Sequence, residues 1–186
     1  MQVHIIDGWS EGPRHMAALE QELSRAGFSL SQDKTKADVI IAHSAGWYFL
    51  PKDDSSKLIA HINPPYWPNR PILLGMIRNV LLDIPMQLRS WGWKRLAVHR
   101  LKNIFYIFIH PLRGLRIWRS LKSALVEKDK NKRVLIMRNK RDCFCSPEIK
   151  SYLKSVKGVK IVELPGLHED CWFNPKPYVD LILKEL

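Results

Sequence analysis

The sequence predicts an α/β protein: a three-layer α/β/α sandwich built on a mostly parallel sheet, with a helical insertion. Two observations carry this. Short apolar runs such as Val39-Ile40-Ile41-Ala42 end abruptly in turn residues, and stretches with helical punctuation alternate with them. Strands that alternate with helices need crossover connections, which lay helices on both faces of a parallel sheet.

The elements follow in order. "VHII" (3–6) is a short buried strand ending at Asp7-Gly8, and residues 13–27 form a helix, with Pro13 in its first turn and Gly27 at its end. "FSLS" (28–31) adds a short strand, "DVIIA" (38–42) the next, and "KLIAHI" (57–62) another that stops at Asn63-Pro64-Pro65. The alternation returns with a strand at 133–138 and a helix at 146–156, where Ser146 is the N-cap, Pro147 is N1 and Glu148 lies in the first turn. A strand at 159–164 and a helix at 175–186 complete the chain.

In open parallel sheets, chemistry gathers at the carboxyl ends of the strands. Those ends carry Asp7-Gly8-Trp9, Ser44, Asn63-Pro64, Asp142 and His168. A serine, an acid and a histidine thus occur in that order, each in a loop just after a strand. Serine is a weak nucleophile: it needs a base, a group to orient that base, and N–H donors for the developing oxyanion. A sharp strand-to-helix turn presents the hydroxyl and requires small neighbours, which Ala42, Ala45 and Gly46 supply.

On these residues the sequence resembles the α/β-hydrolase superfamily, in particular its small serine hydrolases. The G-x-S-x-G elbow of that family stands here as Ala42-His43-Ser44-Ala45-Gly46, with alanine in place of the first glycine. The acid loop stands as "LIMRNKRDCFCSPE" and the histidine loop as "ELPGLHEDCWFNP". The resemblance implies Ser44 as nucleophile, His168 as general base and Asp142 as its orienting acid. It implies oxyanion donors at the N–H of Ala45 and near Trp9, a small acyl substrate and no cofactor. The core would be 1–65 and 131–186, with 66–130 inserted as a cap or lid.

Two competitors stand beside these assignments. Asp170 is a second candidate acid, but it lies two residues past His168, an awkward separation for pairing with the imidazole. Cys143-x-Cys145 and His168-x-x-Cys171 lie in two loops that the fold would bring together, yet C-x-C is tight for structural zinc. Buried packing cysteines are the simpler reading.

The insertion holds most of the charge. Residues 70–122 contain eleven Lys or Arg and one acid, Asp83, in a chain whose net charge is +12. In "PLRGLRIWRSLKSAL" the helical wheel puts Arg113, Arg116 and Arg119 opposite Leu115, Ile117, Trp118, Leu121 and Leu125. The segment reads as a cap with solvated arginines or as a face for an anionic membrane. Basic and aromatic residues also mark nucleic-acid binding, but no recognition motif accompanies them. A non-catalytic protein of this fold, binding anionic lipid or nucleic acid through the insertion, is the competing function. The longest lipophilic patch, "IFYIFI" (104–109), falls far short of the ~20 residues of a membrane span. Three clustered cysteines and an N-terminus without a signal-peptide pattern make a cytoplasmic protein, with peripheral membrane contact at most, the expectation.

Overall fold

The computed structural model of the chain describes residues 1–8, 16–51, 55–65, 132–142, 145, 148–153 and 156–186, with scattered positions between 81 and 112. Six strands, every neighbouring pair parallel, lie in the order β2-β1-β3-β4-β5-β6. They are β1 (Gln2–Ile6), β2 (Ser29–Leu30), β3 (Val39–His43), β4 (Leu58–Ile62), β5 (Arg133–Asn139) and β6 (Val159–Leu164). The described helices outside residues 66–130 are α1 (Ala17–Arg25), α2 (Ile149–Leu153) and α3 (Lys176–Lys184), with 3-10 segments at Ser44–Phe49 and Asp170–Trp172.

The apolar runs are continuous because the central strands are covered on both sides. All residues of β3 and β4 are buried. Period-two alternation divides them between two cores. Val39 and Ile41 face Leu19 and Leu23 of α1 and Tyr178, Val179 and Ile182 of α3. Ile40 and Ala42 face Trp47, Leu50 and Ile149 of α2. The layers are therefore those the alternation of elements predicts.

Boundaries shift by a few residues. The first helix is described from Ala17, and Pro13 lies outside the described residues, as do Ser146 and Pro147 before α2. The end of α1 is as the glycine predicts. Gly27 takes φ +87°, its N–H donates to the Ser24 carbonyl, and the Phe28 N–H donates to the Leu23 carbonyl. That pair of bonds, with Phe28 buried, is a Schellman cap.

The sheet order positions the site. From β1 the chain crosses to β2 on one side and then returns to pair β3 on the other. Loops leaving β1 and β3 diverge, and the crevice between them is where such sheets bind ligands. Ser44 follows β3 directly at this point, and Asp7 and Gly8 follow β1. Gly46 sits hard against the end of β1: a Cβ there would lie 2.3 Å from the Ile6 carbonyl oxygen and 3.0 Å from that of Asp7. Both obstacles are backbone and cannot swing aside. Gly46→Ala is accordingly expected to cost about 2 kcal/mol or more, toward the upper end of overpacking changes, read as a lower urea midpoint by circular dichroism.

Candidate active site

Three loops at one edge of the sheet bring the candidate residues together. Ser44 is half-buried and has φ +49°. A left-handed serine costs about 1–3 kcal/mol and persists only where the surroundings enforce it. The residues on either side of it, His43, Ala45 and Gly46, are buried, and Gly46 backs onto the end of β1.

Asp142 and His168 lie in adjacent loops held edge to edge by backbone bonds that continue the pairing of β5 and β6. The Lys140 N–H donates to the Leu164 carbonyl at 2.9 Å, the Arg141 N–H to the Gly166 carbonyl at 3.1 Å, and the Asp142 N–H turns back to the Asn139 carbonyl at 3.0 Å. Consequently His168 Nδ1 lies 3.0 Å from Asp142 Oδ2, with the histidine side chain 6% and the carboxylate 0% exposed. A carboxylate only accepts, so Nδ1 carries the proton, and in the neutral imidazole the lone pair is then on Nε2. Asp170, the competitor, instead has its Oδ2 3.4 Å from the Tyr178 hydroxyl. Burial pushes its carboxyl above the usual range, the Tyr178 bond opposing this in part.

His43 joins the serine loop to the histidine loop. Its ring centroid is 5.1 Å from that of His168, and its Nε2 is 3.2 Å from the His168 carbonyl oxygen. Ser44 is the next residue along the chain, at the same edge of the sheet. Ala45 is buried in the first turn after the serine, where backbone donors lack an acceptor within the turn. Trp9 lies outside the described residues.

The acid loop has a second fastening that the sequence reading did not single out. Arg138, 4% exposed, donates through Nε to the Cys145 carbonyl at 2.7 Å and through Nη1 to Glu163 Oε1 at 2.6 Å. Asp142 sits within the loop that this bond closes. Lys150 of α2 approaches the other Glu163 oxygen at 2.6 Å. An arginine in an apolar strand gives no sequence signal of its partner; only the register of Arg138 opposite Glu163 does so.

The cysteines belong to different layers. Cys145 packs in the core with Ile40 and Ile136, Cys171 in the opposite one with Leu135 and Met137. Two thiols on opposite faces of a sheet do not converge on one ion, and among the described residues no cluster of three or more metal-ligating side chains forms. Burial pushes the Cys145 thiol well up, and the nearby Asp142 adds to this. Cys143 lies outside the described residues.

No protein-family model and no curated protein matches the sequence. Solved structures do match its fold. A carboxylesterase of the ammonia-oxidizing thaumarchaeon Nitrososphaera gargenis aligns at TM-score 0.64 and 13% identity, over 98% of this chain and 88% of that one. An esterase from Exiguobacterium antarcticum aligns at 0.63 and 12%, over 100% and 91%. A membrane phospholipase A, described as a bacterial virulence factor, aligns at 0.69 and 9%, over 98% and 77%. The chain has the α/β-hydrolase fold. Its serine, acid and histidine loops leave β3, β5 and β6 of that fold.

The Arg138–Glu163 pair gives the acid loop a pH dependence. Its carboxyl is held below the ordinary 4.5 by the Lys150 hydrogen bond first, with Arg138 adding to it. A depressed carboxyl stabilises the fold above its unfolded pKa, and that contribution is lost as pH falls through the lower folded value. Glu163→Gln leaves Arg138 buried without its anion and is expected to cost about 3 kcal/mol at neutral pH. The gap to wild type should narrow on acidification toward about pH 3, checked by urea midpoints at both pH values.

Proposed function

We propose that the protein is a serine hydrolase that cleaves a carboxylic ester or related acyl bond through an acyl-enzyme on Ser44. The observation that carries this reading is the buried His168–Asp142 pair at 3.0 Å, at the sheet edge where β3 ends in a serine at φ +49°. Likeness of fold to a carboxylesterase, an esterase and a phospholipase A supports it.

In this mechanism Ser44 Oγ attacks the acyl carbon while His168 Nε2 takes the hydroxyl proton. Asp142 holds the tautomer that leaves Nε2 free and stabilises the imidazolium that forms. The N–H of Ala45, with a second donor at Trp9, receives the oxyanion. The imidazolium then protonates the departing alkoxide as the C–O bond breaks. Water, deprotonated by the same Nε2, releases the acid and restores the serine. The small substrate needs no cofactor for these steps.

A fluorophosphonate should label the native protein and spare Ser44→Ala; equal labelling of both, or of neither, would remove the enzyme reading. Asp142→Asn should keep the fold and lower turnover by about 10⁴-fold, because the imidazole is then held in the wrong tautomer. Asp170→Asn should cost far less. Reversed effects would reassign the acid.

The segment 66–130 is proposed as the cap, and a specific observation supports a membrane contact for it. Leu101, Phe105, Phe108 and Leu112 are helical, follow the helical repeat in sequence and are 66–77% exposed. Arg89, Lys94 and Arg95 are exposed in the same segment, and the Lys94 ammonium lies 5.7 Å from the centroid of the exposed Trp93 ring. Exposed apolar residues in a segment this basic suit the surface of an anionic bilayer. Among the described residues no helix is long and apolar enough to cross a membrane. A cytoplasmic protein resting peripherally on such a surface is therefore proposed, with nucleic acid set aside.

Arg113, Arg116 and Arg119 lie outside the described residues, but their charge is testable. At roughly 1 kcal/mol each, replacing all three with Gln should weaken binding to anionic vesicles by about two orders of magnitude at low salt. High salt should shrink that difference. Hydrolysis of a short soluble ester should stay nearly unchanged. Co-sedimentation that shows no binding of wild type at low salt would leave the segment as a cap alone.

A further inference from the structure

Beyond the three residues of the proposed mechanism, the active-site edge holds a second group of buried polar side chains. They sit at the ends of three adjacent strands: His43 closes β3, Asn63 directly follows β4, and Asn139 closes β5. All three are 0% exposed. Each reaches the main chain of the histidine loop. The Asn63 amide donates to the His168 carbonyl at 2.7 Å, and His43 Nε2 approaches the same oxygen at 3.2 Å. The Asn139 amide donates to the Leu167 carbonyl at 2.5 Å.

The orientation of both amides is fixed by a further partner, and that of His43 by the carbonyl itself. A carbonyl only accepts, so the proton of His43 in this contact is on Nε2. The Asn139 N–H donates to Asn63 Oδ1 at 2.7 Å, which turns the Asn63 NH₂ toward His168. The Tyr178 hydroxyl donates to Asn139 Oδ1 at 2.8 Å, which turns that NH₂ toward Leu167. Asn63 also takes φ +49°, a conformation asparagine tolerates better than most residues, so its backbone is bent to deliver the amide.

Two successive peptide units, those of Leu167 and His168, are thus tied by side chains to three strands of the sheet. Satisfying buried carbonyls needs only some donor. Here the donors come from the ends of the buried central strands and act on the residue whose ring meets Asp142. We infer that His43, Asn63 and Asn139 are positioning residues that set the placement of the His168 imidazole against Ser44 and Asp142. This inference rests on the serine-hydrolase reading above.

The test separates positioning from plain structural support. Asn63→Gly keeps the left-handed backbone without strain and removes the side-chain amide, both its donor to His168 and its Oδ1 acceptor for the Asn139 N–H. His43→Phe removes one of the two donors to the His168 carbonyl while keeping a ring beside Trp172, 5.8 Å away between centroids. It provides the readout should Asn63→Gly fail to fold. For a short soluble ester, kcat should fall by about 10²-fold in Asn63→Gly and about tenfold in His43→Phe, with KM little changed. The His168 imidazole pKa, followed by NMR titration, should drop in both, because a loosened loop weakens the bond from Nδ1 to Asp142.

A lower melting temperature with unchanged kcat and unchanged His168 titration overturns the inference. Wild type inert toward fluorophosphonate and esters overturns the hydrolase reading instead. The titration still decides positioning in that case: equal His168 pKa values in wild type and both variants would refute it.

Discussion

A parallel sheet delivers all its carboxyl ends to one edge, and the register of β3, β4 and β5 fixes which side chains meet there. His43 pairs with Ile62 and Ile62 with Met137, so β3 and β4 end level and β5 runs two residues beyond them. The polar residues that begin where the apolar runs stop are consequently neighbours in space, although up to 125 residues separate them in sequence. A one-residue slip of β4 would turn Asn63 to the opposite face. Apolar packing on both faces resists such a slip, so the two cores that stabilise the fold also hold the polar edge in place.

That edge combines buried groups that are costly to leave unsatisfied. Asn63, Asn139 and Tyr178 form one chain of donors and acceptors in which each orients the next. Arg138 does the same for the acid loop from the other side of the sheet. The histidine and acid loops are thus fastened independently, and their common backbone bonds bring the two fastenings into register.

Much of this was readable before any coordinates. Continuous apolar runs such as Val39–Ala42 announce strands covered on both faces, and the Gly27 cap closes α1 where the glycine predicts. The loops holding Ser44, Asp142 and His168 follow from chain order alone. Two things were not readable. Asn63 and Asn139 look like ordinary turn residues, because asparagine after a strand is common and the sequence does not say what its amide will face. Asp142 and Asp170 could be ranked only by their distance from His168 along the chain. The geometry adds a physical reason, since Asp170 is turned toward Tyr178 while Asp142 meets the imidazole.

The absence of a side chain at Gly46 has a consequence for how the molecule comes together. The elbow closes on the Ile6 carbonyl, some forty positions earlier in the chain, so the serine turn has no local template of its own. In a chain where β1 has not yet docked on β3, the packing of Gly46 on the Ile6 carbonyl is missing, and Ser44 is freer to relax to the ordinary extended or helical basins. Contacts of this separation form late relative to local turns, since loop closure must precede them. The serine conformation is therefore acquired cooperatively with the β1–β3 seam, and fraying of that seam would erase it before the rest of the sheet came apart.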